Sequence, residues 1–330
     1  MENLLQVNNL KTAFQTEKGL QTVVHGVSFH VSKGEIVGIV GESGCGKSVT
    51  SLSIMRLLHD TPGRITNGEV VYKDKNLLAL SEKEMKKYRG NELSMIFQEP
   101  MTSLNPVLKI GRQLRETIQL HLNMSKAKAH EHAIKMLELV GIPRAREIMD
   151  EYPHQLSGGM RQRVMIAIAI SCNPALLIAD EPTTALDVTI QAQILNILKD
   201  IQQQSDMGIL MITHDLGVVA ELCDRVIVMY AGRIIEESSV EALFENPQHP
   251  YTRGLIDSIP KIGKHKDRLY SIPGNVPSPA NMPQGCKFAP RCKHVMDICH
   301  QKEPDLVKTK EHFSRCWLHQ EHKERECVHE

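Results

Sequence analysis

Ile36-Val37-Gly38-Ile39-Val40-Gly41-Glu42-Ser43-Gly44-Cys45-Gly46-Lys47-Ser48 decides the fold of this chain. Its first five residues form a short apolar run of the kind that becomes a strand buried on both faces. The next eight match the spacing G-x-x-x-x-G-K-[ST], and a helical pattern from about Lys47 to Leu58 follows. Glycines let backbone N–H groups turn inward around phosphate oxygens, and the helix aims its positive end at the same place. Lys47 is then placed to reach the β- and γ-phosphates and Ser48 to ligate magnesium, with Val49 in the first helical turn beside them. A plain glycine turn is the bland alternative. The strand pattern before the loop and the helix pattern after it favour a phosphate cradle.

Outward from this stretch, Leu4–Phe14 and Gln21–Val31 read as strands joined through a turn at Gly19, and Ser32-Lys33-Gly34-Glu35 reads as another turn. Downstream, apolar residues recur at helical spacing through 114–140 (Leu114, Ile118, Leu122, Ala133, Met136, Leu137, Val140), which predicts a helical subdomain. Ala175–Ala179 and Ile209–Ile212 are two more buried-strand runs, and Ile190–Gln204 and Gly217–Cys223 read as helices. Strands alternating with helices predict an α/β core on a mainly parallel sheet. From about Asn246 the composition turns proline-rich and predicts a separate, loop-rich module ending in a frayed His/Glu-rich tail, Leu318–Glu330.

Leu176-Leu177-Ile178-Ala179-Asp180-Glu181 is an apolar strand ending in two acids, at the edge where α/β sheets bind ligands. Asp180 suits a magnesium-holding role and Glu181 that of the base polarising an attacking water. The alternative is a solvated charge pair, which the phosphate loop upstream disfavours. Leu156-Ser157-Gly158-Gly159-Met160-Arg161-Gln162-Arg163 is a further helix start, with Ser157 as cap and two glycines exposing N–H groups to an anion.

That last stretch closely resembles the signature motif of ATP-binding cassette (ABC) proteins. The resemblance implies a P-loop NTPase cassette with an antiparallel β subdomain and a helical signature subdomain at about 100–165, using ATP and Mg2+. It further implies head-to-tail dimers in which Ser157, Gly158, Gly159 and Gln162 of one subunit cover the ATP of the other. By the same resemblance, Gln98 after the strand-like Leu93–Phe97 is the Q-loop glutamine, sensing magnesium and facing a transmembrane partner. Ala185-Leu186-Asp187 matches the D-loop, and His214 the switch histidine that contacts the γ-phosphate. Phe14 is either an adenine-stacking aromatic or a core residue.

Finer details resemble the oligopeptide/dipeptide importer branch: Thr183 to Thr189, Gln191-Ala192-Gln193, His249-Pro250-Tyr251-Thr252-Arg253, Ile272-Pro273-Gly274 and Gly285-Cys286. They imply a nucleotide-binding domain at 1–245 and a C-terminal extension at 246–330. The expected partners are a second cassette (a paralogue or another copy), two permease subunits and an extracytoplasmic substrate-binding protein. Related nickel importers often lack the full extension, and the resemblance leaves them as the alternative. Within the P-loop, serine is commoner than Cys45 in this branch. Its thiol lies beside Lys47 at a helix start, so it is either a reactive thiolate or a small filler.

With 39 Lys+Arg against 39 Asp+Glu, the balanced charge argues against a nucleic-acid binder and a polybasic membrane anchor. Soluble cassette ATPases acting on DNA or ribosomes carry long coiled-coil insertions or two cassettes per chain, and neither is present. No apolar run reaches a bilayer span of about 20 residues. These features predict a protein peripheral to the cytoplasmic face of a membrane. Cys286, Cys292, Cys299 and Cys316 are separated by gaps of five, six and sixteen residues, wider than structural zinc pairs usually show. Four thiolates equally suit an iron–sulfur cluster, and the resemblance implies a 4Fe–4S cluster; zinc and unligated thiols are the alternatives. Cys327 in the tail reads as free.

Overall fold

In the computed structural model, which describes residues 2–17, 19–59, 61–99, 103–184, 187–259 and 271–320, every residue of the strand Ile36–Val40 is buried. Its bounds coincide with the apolar run because turn residues Lys33-Gly34 and Gly41 delimit it on both sides. The chain divides into two compact units. One is built mainly on Val71–Ile212, the other on Gln6–Phe29, Val37–Val70 and the chain from Thr213 onward.

In the first unit Leu93–Ile96, Leu176–Asp180 and Gly208–Thr213 lie side by side in parallel, with Leu176 opposite both Leu93 and Gly208. The middle strand is buried throughout, as expected for a parallel strand covered on both faces. The helical region consists of Ile110–Leu122, Lys126–Leu139 and Gly158–Ile170. Leu114, Ile118, Ala133 and Leu137 carry no exposed surface and form the seam between them. The predicted 114–140 pattern is therefore two helices. Asn123 breaks it in the left-handed conformation (φ 51°), which asparagine tolerates, and Ser125 caps the second helix by accepting from Lys128 N at 3.4 Å.

In the second unit Asn3–Thr16 lies between Gly19–Ser32 and Gly63–Tyr72 in one sheet. A second sheet pairs Val37–Val40 in parallel with Arg225–Val228. Arg225–Tyr230 then turns through Ala231 and Gly232 (φ 45° and 76°) into the antiparallel strand Arg233–Ser239. The short strands His312–Ser314 and Val307–Thr309 extend that sheet, with Glu236 opposite Ser314. The segment beyond Asn246 thus shares a sheet with the 225–239 hairpin, which has no counterpart among the expected elements. No described helix is long and apolar enough to cross a membrane.

Candidate functional site

Gly41 closes the strand Ile36–Val40 at a point where a Cβ would lie 2.2 Å from the Met229 carbonyl oxygen, so only glycine fits. Gly46, in the left-handed region at φ 98°, swings the chain into the helix Lys47–Ile54. Ser43 and Gly44 are exposed between them, and Ser48 and Val49 are partly exposed in the first helical turn. Lys47 is 5% exposed, and its ammonium donates to the carbonyls of Gly41 (2.7 Å) and Glu42 (3.2 Å). The loop therefore keeps its cation inside the curve of its own backbone.

Cys45 has no exposed surface. Burial pushes its thiol up, outweighing the Lys47 ammonium 3.9 Å away. The reactive-thiolate expectation is corrected accordingly: Cys45 fills space under the loop. Phe14 is half-buried with its ring edge against Gly63. His214 is exposed just past the strand Gly208–Thr213, while the following Asp215 accepts from Gly217 N at 2.7 Å.

In the first unit Asp180 ends its strand buried, and Glu181 follows in the left-handed region at φ 48°. Such a conformation is costly for a residue with a side chain and is typical of functional turns. The Glu181 N–H donates to the Ile212 carbonyl at 2.8 Å, which fixes the turn. Its Oε2 accepts from Gln98 Nε2 (3.0 Å) and from Thr184 Oγ1 (2.9 Å). The structure thus brings together Gln98 and Glu181, placed 83 residues apart. It adds Thr184, a residue of the Thr183 to Thr189 stretch to which the sequence alone assigned no role.

Ser157 caps the helix Gly158–Ile170 by accepting from Met160 N at 3.3 Å. Ser157 and Gly158 are exposed and Gly159 partly so. Together with Arg163 and Asp187 they line an open cavity of about 500 Å3, which suits an anionic ligand at a helix start. Gln162 does not face it. Its side chain is 2% exposed and donates to the Pro182 carbonyl. Its expected contact with another subunit's nucleotide is replaced by a tie between the signature helix and the turn after Glu181. Asp187 caps the helix Val188–Ser205, accepting from Ile190 N at 2.9 Å. The other two D-loop residues, Ala185 and Leu186, lie outside the described residues, as does Cys327.

The four C-terminal cysteines approach one another. Cys286 N donates to the Cys299 carbonyl at 2.8 Å. Burial pushes the Cys286 thiol up to about 11 and the Cys316 thiol up to about 12, with the neighbouring cysteines adding to both. Yet no group of three or more His, Cys, Asp or Glu side chains among the described residues is disposed to hold a metal ion. The extension thus brings these thiols near one another without a formed ligand set among the described residues.

Comparison with known proteins agrees with this geometry. Residues 24–184 match the ABC transporter family, and residues 235–299 match the oligopeptide/dipeptide transporter, C-terminal region. An oligopeptide transport ATP-binding protein of Bacillus subtilis, AppD, is 57% identical over 322 residues, covering 97% of this chain and 98% of that protein. The dipeptide transport ATP-binding protein DppD of the same organism is 51% identical over 319 residues, covering 96% and 95%. The ATP-binding cassette MJ0796, solved as a dimer in a post-hydrolysis state bound to ADP and Pi, superposes with a TM-score of 0.65 at 27% identity, over 72% of this chain and 98% of that one.

Proposed function

The chain belongs to the ABC transporter ATPases, in the oligopeptide/dipeptide branch, and from that membership we propose that it is the ATP-hydrolysing motor of a peptide importer. The observation that carries the substrate class is the 57% identity to an oligopeptide transport ATP-binding protein along 97% of the chain, C-terminal region included.

Within that motor, Lys47 binds the β- and γ-phosphates, Ser48 and Asp180 hold magnesium, and Glu181 polarises the attacking water. Gln98 and Thr184 orient the Glu181 carboxylate, which supports its role as base. His214 contacts the γ-phosphate, and Phe14 stacks on adenine. Ser157, Gly158 and Gly159, open to solvent, cover the nucleotide of a second cassette. Closure of two cassettes on ATP moves a pair of permease subunits, and hydrolysis resets them, driven by the difference in ATP affinity between open and closed dimers. A substrate-binding protein outside the membrane selects the cargo, and the motor sits peripherally on the cytoplasmic face. The nucleotide-binding domain spans 1–245 and the extension 246–330.

For the extension the finer reading is a 4Fe–4S cluster on Cys286, Cys292, Cys299 and Cys316. Burial first, and neighbouring cysteines second, push up the thiols of Cys286, Cys292 and Cys316, so their joint ionisation needs a cation beside them, which supports a bound metal. One zinc ion needs every sulfur within about 2.3 Å of a single point. A cluster spreads its thiolates over four irons. Iron without zinc in anaerobically purified protein supports the cluster; stoichiometric zinc without iron overturns it.

The transport reading is tested by purifying the intact complex and reconstituting it with its binding protein. Stimulation of ATP hydrolysis by peptides is the expected result. Stimulation by a nickel chelate and not by peptides would refute it.

A further inference from the structure

Glu42, the second residue of the phosphate loop, is gripped from the far C-terminal part of the second unit. Its N–H donates to the Tyr251 hydroxyl at 2.8 Å. Its carboxylate receives both Arg291 terminal nitrogens, Nη1 to Oε2 at 2.6 Å and Nη2 to Oε1 at 3.0 Å. The Arg291 side chain is 4% exposed in this pair. A fork-to-fork guanidinium–carboxylate pair of this kind fixes orientation as well as charge.

Arg291 is itself held on every side. Its Nε donates to the Pro273 carbonyl at 2.8 Å and Nη2 to the Ile272 carbonyl at 3.3 Å. Its guanidinium lies over the rings of Tyr230 and Phe288, 5.7 Å and 6.0 Å from their centroids. Tyr251 is equally fixed. Glu236, with no exposed surface, accepts from the backbone N–H groups of Gln248 (2.7 Å) and His249 (2.8 Å). His249 Nδ1 in turn accepts from Tyr251 N at 3.0 Å.

This grip has a physical purpose at a phosphate site. A carboxylate inside a cradle meant for a polyanion repels it, and the repulsion is strong where water is excluded. A glycine-rich loop also has many backbone conformations, of which one presents its N–H groups inward. We propose that Arg291 and Tyr251 are positioning residues for the ATP phosphate loop: Arg291 neutralises and orients the Glu42 side chain, and Tyr251 fixes the Glu42 backbone. The C-terminal segment thereby sets the nucleotide affinity of a loop 249 residues away. The proposal rests on reading Gly41–Ser48 as the ATP phosphate loop.

The test is ATP titration of the full-length chain with a fluorescent analogue. Arg291→Gln weakens binding roughly tenfold, the scale of a charged hydrogen-bonded pair. Adding Glu42→Gln to that variant removes the repelling charge and restores most of the affinity. Arg291→Lys keeps the charge without the fork, falls between wild type and Arg291→Gln, and serves if Arg291→Gln fails to fold. Tyr251→Phe, lacking the acceptor, loses affinity while keeping its melting temperature within a few degrees. Lys47→Ala separates the two readings, because it loses ATP binding if the loop is the phosphate site. If it does so while Arg291→Gln and Arg291→Lys bind like wild type, the positioning role is wrong. Loss in Arg291→Gln that Glu42→Gln fails to relieve means a merely structural arginine and also overturns it. Wild-type ATP binding by Lys47→Ala refutes the loop reading itself.

Discussion

Replacing Glu181 by glutamine isolates its chemistry from its packing. Two hydrogen bonds described for the carboxylate converge on one oxygen, Oε2, from Gln98 at 3.0 Å and Thr184 at 2.9 Å. A glutamine carbonyl placed there accepts both, so neither donor is stranded. What is lost is charge assistance, on the order of 1 kcal/mol per bond before screening at this partly exposed position. The backbone strain at φ 48° is the same for either residue. Stability therefore changes by about 1 kcal/mol or less. Removing a general base slows turnover roughly 100- to 10,000-fold, a barrier increase of about 3–5 kcal/mol. The assay is phosphate release by the assembled transporter, alongside ATP binding and melting temperature. The expected pattern is abolished turnover with ATP still bound and the fold intact. Glu181→Gly provides a contrast: it is equally inactive, yet relief of the left-handed strain offsets the lost contacts and leaves stability close to wild type. Phosphate release by Glu181→Gln within about twofold of wild type would refute the assignment of the base.

Lys47→Ala acts on binding itself. It removes the cation that spans the Gly41 and Glu42 carbonyls, so ATP affinity drops by an order of magnitude or more, and an unchanged titration contradicts the phosphate assignment. Alkylation of Cys45 is slow near neutral pH, because burial holds the thiol above its ordinary value; Cys45→Ser keeps full ATPase activity, and rapid ATP-protectable inactivation that disappears in Cys45→Ser speaks against burial. His249, pushed down to about 3 by burial, stays neutral in the folded chain while the unfolded chain protonates near 6.5. The unfolded state thus binds the extra proton, and this group's stability contribution is complete above about pH 6.5 and is lost as pH falls toward 3, at up to about 1.4 kcal/mol per pH unit. Denaturant melts of His249→Asn should show a flatter acid limb, and an unchanged slope would assign that limb to other groups.

Local patterns carried the parts of the fold whose cause is local. Ile36–Val40 was legible to the residue because two turns bracket five apolar side chains. The helix after Lys47 ends at Ile54, short of the predicted Leu58. Arg56 takes φ 52° there, and arginine gives no propensity signal for that turn. The 225–239 hairpin had a usable signal in the apolar run Val226 to Tyr230 followed by Ala231-Gly232. For the site, the motifs around Lys47, Asp180, Glu181 and Ser157 were readable because each builds its geometry from neighbours in sequence. Gln162 was misplaced because its direction depends on the Pro182 carbonyl, which belongs to another element. Nothing near Glu42 or Arg291 announces their pairing, since 249 residues separate them.

That separation bears on why the C-terminal segment is more than an appendage. A proline-rich stretch of this size has little core of its own. It is ordered here by adding His312–Ser314 to the free edge of Arg233–Ser239, so its backbone hydrogen bonds are completed by the sheet that also carries Ile36–Val40. Glu236 on that edge strand, its carboxylate 3.1 Å from His312 Nδ1, binds the turn that launches the helix Pro250–Asp257. The tyrosine near the start of that helix meets the loop backbone, and the arginine before Cys292 meets the loop carboxylate. Two independent contacts from two parts of the segment thus land on the same residue. A disturbance near Cys292 that moves Arg291 has a direct route to the loop through the Glu42 carboxylate, and one that moves Tyr251 has a separate route through the Glu42 backbone.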